Sequence, residues 1–169
     1  NTARIIAADT DKRRLGNLAP RAARAGAAVD EIVLLDPGRE MAALAPIAGK
    51  ADHVLVDAPC SGSGTWRRNP ELRWRLTPER LARTEALQRQ VLDIAAQLMK
   101  PGGVIVYAVC SLFEREGADQ IEAFMQRHAG FSAEDILPDT GRPSGAGRLL
   151  TPFHDATDGF FVARLARSC

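Results

Sequence analysis

Cysteine is scarce in this sequence, with 3 residues in 169, set wide apart and forming no Cys-x-x-Cys pair. An odd, dispersed set excludes a disulfide framework and gives no sign of a zinc or dithiol redox site. Cys60, Cys110 and Cys169 therefore read as free thiols, the last of them incidental. Long apolar runs are missing too, since no stretch approaches the roughly 18 residues of a membrane-spanning helix. Residues 1–9 have neither the charged segment nor the apolar core of a secretory signal, so a cytoplasmic protein is the default expectation. Net charge is nearly absent, at +1 from 22 basic and 21 acidic side chains. That balance leaves any nucleic-acid binding to local clusters. His53, His128 and His154 are too dispersed for a metal site, and no internal repeat, linker or low-complexity segment is present.

What is there is ordinary globular material, 46% apolar and 25% charged, in a length that suits one domain with one core. The chain is organised around residues 54–71. A β-rich run, Val54-Leu55-Val56, ends on Asp57, and Ala58-Pro59-Cys60-Ser61-Gly62-Ser63-Gly64 follows before Trp66-Arg67-Arg68. Ligands of open α/β sheets sit outside the carboxyl ends of the strands. Asp57 and Cys60 are thus expected at the mouth of a crevice.

The remaining segments alternate. Strands are expected at Arg4–Ala8, Glu31–Leu35, Asp52–Asp57, Val104–Val109 and Phe160–Leu165, with a further one at Phe131–Leu137. Between them lie a helix capped by Thr10 or Asp11 and kinked at Pro20, a short helix through Met41, Leu44 and Ile47, and a helix announced by Thr77-Pro78-Glu79. Leu87, Val91, Ile94 and Leu98 form the expected inner face of that third helix, which ends at Lys100-Pro101-Gly102-Gly103. A last helix runs from about Glu114 to His128, with His128 packing in the core, and Asp139–Gly147 reads as a loop. This order predicts a parallel α/β sheet with an antiparallel strand added near the end. Asp9, Asp36 and Asp57 each close a strand, a pattern suited to a ligand rich in hydroxyl and amino groups. Asp155 and Asp158 are expected to serve turns.

Two glycines in Ser61-Gly62-Ser63-Gly64 could cradle a phosphate, yet the lysine-hydroxyl pair of a triphosphate loop does not follow. Trp66, Arg67, Arg68, Arg73, Trp74, Arg75, Arg80 and Arg83 form the densest basic and aromatic cluster. Arg67 and Arg68 are the candidates for nucleic-acid phosphates, which the resemblance below makes those of RNA, whereas arginines beyond Thr77 read as a solvated helix face.

Asp57-Ala58-Pro59-Cys60-Ser61-Gly62, Arg67-Arg68-x-Pro70-Glu71-x-x-Trp74, Tyr107-Ala108-Val109-Cys110-Ser111 and Asp158-Gly159-Phe160-Phe161 together resemble the RNA cytosine-5 methyltransferases of the RsmB and Nop/Sun type. The resemblance covers essentially the whole chain. It implies a Rossmann-like class I fold that uses S-adenosylmethionine on RNA, most naturally rRNA. By position Cys110 matches the family's nucleophile and Cys60 the cysteine that assists product release. Asp9, Asp36 and Asp57 match acids that contact the cofactor, Asp9 through the ribose and Asp36 near the adenine, with Asp57 also near the target base. Val109 stands where the family has threonine, and Glu114, Glu116 and Gly117 stand where it has an acid pair and asparagine. The family's first strand and glycine-rich cofactor loop have no counterpart before Arg4, so a fragment of a longer enzyme with little activity alone is expected. Two other readings stay open: a DNA cytosine methyltransferase using Cys60, and a catalytically silent RNA-binding or assembly module. No metal is expected.

Overall fold

Residues 3–137 and 139–169 are described by a computed structural model, and they divide into two units, Asn1–Ile47 and Ala48–Cys169. In the first, the aliphatic run makes strand β1 (Ile6–Asp9), which begins later than expected and includes its closing acid. Asp11 caps α1 (Lys12–Gly16) by accepting hydrogen bonds from the Arg13 and Arg14 amides at 2.8 and 3.1 Å. The single helix kinked at Pro20 is corrected to two, because α1 breaks at Asn17 and α2 (Leu18–Arg24) starts anew. Pro20 then falls in the first turn of α2, where a missing N–H costs nothing. Strand β2 (Glu31–Leu34) pairs parallel with β1 to make a two-stranded sheet. Helix α3 (Glu40–Leu44) continues into a 3-10 turn at Ala45–Ile47.

The second unit holds the larger sheet. Strand β3 (Ala51–Asp57) leads through a 3-10 turn at Ser63–Thr65 and α4 (Glu71–Trp74) to the long α5 (Pro78–Leu98). Strand β4 (Met99–Val109), α6 (Ala118–Arg127), β5 (Phe131–Glu134), β6 (Arg142–Ser144), β7 (Gly147–Leu150), α7 (Pro152–Asp155) and β8 (Phe160–Arg167) follow. The strands lie in the order β3-β4-β8-β7-β6, and β5 also pairs with β8. Within this sheet, among the described residues, only β3 and β4 pair parallel; β8 pairs antiparallel with β4, β5 and β7. Antiparallel pairing is therefore more extensive than expected. Part of the excess comes from Asp139–Gly147, which is not simply a loop: Arg142–Ser144 pairs with β7 as a hairpin turning at Gly145, φ +52°. Pro143 is tolerated there because β6 is an edge strand.

Thr77 caps α5 as its sequence requires, accepting from the Arg80 amide at 3.2 Å. The inner face differs from the expected one. Leu87 is 46% exposed, and the buried stripe is Gln88, Leu92, Ala95, Ala96 and Leu98. Leu92, Ile105, Tyr107, Ile121, Phe124, Phe161 and Leu165 are buried in one core between α5, α6 and the sheet. Each large apolar side chain so buried contributes about 2 kcal/mol. Lys100-Pro101-Gly102-Gly103 is an excursion rather than a helix stop, since Ala51 pairs with Met99 but His53 with Val104. Among the described residues, no helix is long and apolar enough to cross a membrane.

Candidate active site

The site starts from register. Asp57 of β3 lies opposite Ala108 of β4, and the Ala58 amide still bonds to the Ala108 carbonyl at 3.1 Å. Two parallel neighbours in this register emerge side by side, so the residues just past them must meet. Cys60 and Cys110, remote in sequence, stand with their sulfurs 3.4 Å apart, both partly buried. Sulfurs at this distance share a hydrogen bond. The Cys110 thiol is pulled down to about 7, first because Cys60 donates to it and also through a backbone amide; burial and the charges of Asp57 and Glu116 oppose the shift. Cys60 moves the other way, because its proton is held in that bond and because it is buried. The pair thus favours a thiolate on Cys110 with Cys60 as its donor.

The residues that follow the two cysteines, Ser61 and Ser111, converge on one carboxylate. Glu116, in the 3-10 turn Glu114–Glu116, is fully buried. Its Oε1 accepts from the Ser61 amide at 2.8 Å and from Gln88 Nε2 at 3.1 Å, with Thr84 Oγ1 at 3.0 Å. Its Oε2 accepts from Ser61 Oγ at 2.5 Å and Ser111 Oγ at 2.6 Å. The chain of donors extends outward, from the Leu112 amide to Ser63 Oγ at 2.9 Å and from Ser63 Oγ to Ser111 Oγ at 3.0 Å. Gln88 Nε2 also reaches the Pro59 carbonyl at 2.8 Å, and Tyr107 donates to the Glu116 carbonyl at 2.7 Å. Every neighbour offers a donor, which is the pattern an ionised carboxylate accepts. Two sequence signals bear on this network: Glu116 stands in the segment that matches the family's acid pair, and Gln88 interrupts an otherwise apolar helical stripe.

A third loop closes against the first two. Gly64 donates to the Cys110 carbonyl at 3.0 Å, and Gly159 donates to the Gly64 carbonyl at 2.8 Å. The two glycine backbones touch so closely that a Cβ on Gly64 would lie 1.9 Å from the Gly159 oxygen. Asp158 does more than shape a turn: its carboxylate accepts from Arg68 Nε at 2.6 Å and Arg67 Nη2 at 3.4 Å, and the Arg68 bond in particular holds its pKa below the usual carboxylate range. Both guanidinium groups remain largely exposed. Trp74 nearby in sequence is 80% exposed, with the Arg73 guanidinium 5.3 Å above its ring.

Asp155 serves a turn as expected, accepting from the Gly141 and Thr151 amides at 3.0 and 2.7 Å. His128 stacks on Phe124 at 4.5 Å but also reaches Asp93 at 2.8 Å, so it is half-buried rather than core. Among the described residues no cluster could hold a metal ion.

The acids expected to meet a cofactor keep free acceptors. Asp57 and Asp36 are exposed, and their carboxylates have no intramolecular partner among the described residues. Asp9 accepts from the Asp11 amide at 2.8 Å through Oδ1, and among the described residues its Oδ2 has only Arg14 at 3.8 Å. Open lone pairs on carboxylates suit the hydroxyl, ammonium and amino donors of S-adenosylmethionine, so these residues fit that group.

Comparison with known proteins identifies relatives of the whole chain. A ribosomal RNA small subunit methyltransferase B from Thermus thermophilus is 46% identical over 123 residues, which is 72% of this chain and 31% of that protein. The corresponding protein of Salmonella typhi is 35% identical over 163 residues, 96% of this chain and 36% of its own length. The chain thus spans about a third of the length of these curated relatives. The solved structure of NSun6 from Pyrococcus horikoshii with SFG, an S-adenosylmethionine analogue, superposes with a TM-score of 0.83 at 28% identity, covering 99% of this chain and 42% of that one. The fold is the Rossmann-like fold of S-adenosylmethionine-dependent methyltransferases. With the 16S rRNA methyltransferase RsmB/F model matching residues 1–166, the chain belongs to the RsmB/F methyltransferase family.

Proposed function

We propose that this chain carries the covalent site of an S-adenosylmethionine-dependent RNA cytosine-5 methyltransferase acting on rRNA. The observation that supports it most is the 3.4 Å contact between Cys60 and Cys110, with the Cys110 thiol near 7. Carbon 5 of cytosine is a poor nucleophile. A thiolate that adds to carbon 6 makes carbon 5 enamine-like, and covalent catalysis of this kind needs an ionised, accessible sulfur. Cys110 supplies it. S-adenosylmethionine, when bound, provides the electrophilic methyl group. Once carbon 5 carries the methyl, a solvent base takes its proton, the electron pair of that bond forms the double bond between carbons 5 and 6, and the bond from carbon 6 to the Cys110 sulfur breaks with its pair returning to the sulfur. Cys60, already a donor to that sulfur, assists release.

Asp57, beside the thiols, serves the cofactor and the target base; Asp9 and Asp36 serve the cofactor, and Arg67 and Arg68 the RNA backbone. Residues 1–169 serve together as a methyltransferase catalytic domain. A cytosine must be unstacked to reach the sulfur, which favours single-stranded or remodelled RNA.

The test is trapping on RNA containing 5-fluorocytosine with S-adenosylmethionine, because fluorine at carbon 5 blocks the last elimination. The chain is compared with a version lengthened to the full span of its relatives. A covalent adduct lost in Cys110→Ala and kept in Cys60→Ala is expected of the lengthened protein. Loss only in Cys60→Ala would move the nucleophile to Cys60, and RNA binding without any adduct would leave a silent binding module.

A further inference from the structure

We propose that Glu116 is the positioning residue of the thiol pair: its buried carboxylate ties the Ser61 loop and the Ser111 loop to α5, and so keeps Cys60 in contact with Cys110. The inference rests on the reading of Cys110 as the nucleophile. Cys60 and Cys110 each lie on a short loop beyond a strand, and neither loop has regular secondary structure to hold it. What holds them is the residue after each cysteine. Ser61 gives Glu116 both its amide, at 2.8 Å, and its hydroxyl, at 2.5 Å; Ser111 gives its hydroxyl at 2.6 Å. Gln88 of α5 anchors the same carboxylate at 3.1 Å and the Pro59 carbonyl at 2.8 Å, so the segment before Cys60 is fixed as well. One carboxylate therefore links both cysteine loops to a rigid helix.

A charge this deeply buried is costly unless it is fully hydrogen-bonded. Here the Ser61 and Ser111 donors that satisfy it also fix the backbone next to each reactive sulfur, and the Thr84 and Gln88 donors tie it to α5. Loosening the network by an ångström would break the sulfur contact, because a hydrogen bond to sulfur weakens steeply with distance.

Glu116 also acts as a charge, and the two roles have opposite signs. Cys110 is faced by Cys60, by Asp57 at the end of β3 and by Glu116. As a bare negative charge, Glu116 disfavours the thiolate, so removing it should lower the alkylation midpoint of Cys110. As a positioning group it keeps the Cys60 donor in place, so removing it should raise the midpoint.

The experiment is iodoacetamide labelling of the 169-residue chain as a function of pH, read for each cysteine by mass spectrometry, with circular dichroism as the check on folding. In the unaltered chain Cys110 labels with a midpoint near 7, ahead of Cys60. In Glu116→Gln the midpoint should rise toward the ordinary thiol value of about 8.5, slowing labelling at neutral pH roughly tenfold. Cys60→Ala should give the same rise, and adding Glu116→Gln to it should give no further upward shift. An unchanged or lowered midpoint in folded Glu116→Gln overturns the proposal, as does an additive rise in the double variant. If Glu116→Gln does not fold, Ser61→Ala decides: it keeps the amide bond and removes one donor, and it should move the midpoint the same way by less. No movement in Ser61→Ala would then overturn it. This labelling needs neither RNA nor cofactor, so its failure is separable from a failure of the adduct test.

Discussion

Glu116 and Asp36 are both acids that follow a strand, and they live in opposite surroundings. Glu116 is fully buried under donors from two loops and a helix, whereas Asp36 is exposed with its carboxylate unpartnered among the described residues. The contrast extends to the units that carry them. Among the described residues of Asn1–Ile47 the only buried hydrophobic side chain is Leu44, while Ala48–Cys169 has a continuous core. An acid meant to hold a scaffold spends its lone pairs on the protein. An acid meant to meet a ligand must keep them. Covalent chemistry also tolerates little misplacement, because a reacting atom displaced by about an ångström loses much of the benefit of proximity.

The comparison breaks most readily at the glycines. Gly64→Ala would force a Cβ into the Gly159 backbone, and Gly26→Ala, in the other unit, meets open space at a φ of +64°. Urea denaturation should show a loss of about 3 kcal/mol for Gly64→Ala from overpacking and about 1 kcal/mol for Gly26→Ala from the left-handed backbone alone. Equal losses would mean that the thiol region is no more tightly built than the acid region.

Arg68→Ala sharpens the comparison at an intermediate level. Because the guanidinium is largely exposed while bonded to Asp158, it is available to a phosphate. Binding to single-stranded RNA should weaken a few-fold, and the slope of log affinity against log salt should fall by about 0.7. A slope that does not change would confine Arg68 to its ion pair.

The smallest structural effect belongs to Asp36→Asn. Stability should stay within about 0.5 kcal/mol, since an exposed unpartnered acid holds nothing together. Calorimetric titration of the lengthened protein with S-adenosylmethionine should nonetheless show about tenfold weaker binding, the size of one lost charge-assisted hydrogen bond. An unstable Asp36→Asn, or one with unaltered affinity, would remove the distinction between scaffold acids and ligand acids.

Much of this was legible in the residues. Asp11 and Thr77 read as caps and are caps, since a cap is decided by neighbours a few residues away. The strands Ala51–Asp57 and Phe160–Arg167 follow their apolar runs for the same reason. Leu87 was misread because a helical stripe admits two neighbouring faces, and the buried one here includes a glutamine. Arg142–Ser144 reads locally as loop because its proline and the flanking Gly141 and Gly145 argue against a strand, and only pairing with β7 overrides them.

By itself, then, the sequence determined where strands end, which caps start the helices, and that two cysteines follow strand ends inside a recognisable set of motifs. Those are short-range properties, written in adjacent side chains. Tertiary structure alone decided that the two sulfurs touch, that Glu116 gathers Ser61, Ser111, Thr84 and Gln88, and that Asp158 answers Arg67 and Arg68. Such contacts depend on the parallel register of β3 and β4 and on the packing of α5 against them, and a hydrogen bond across that distance in sequence exists only once the sheet has formed.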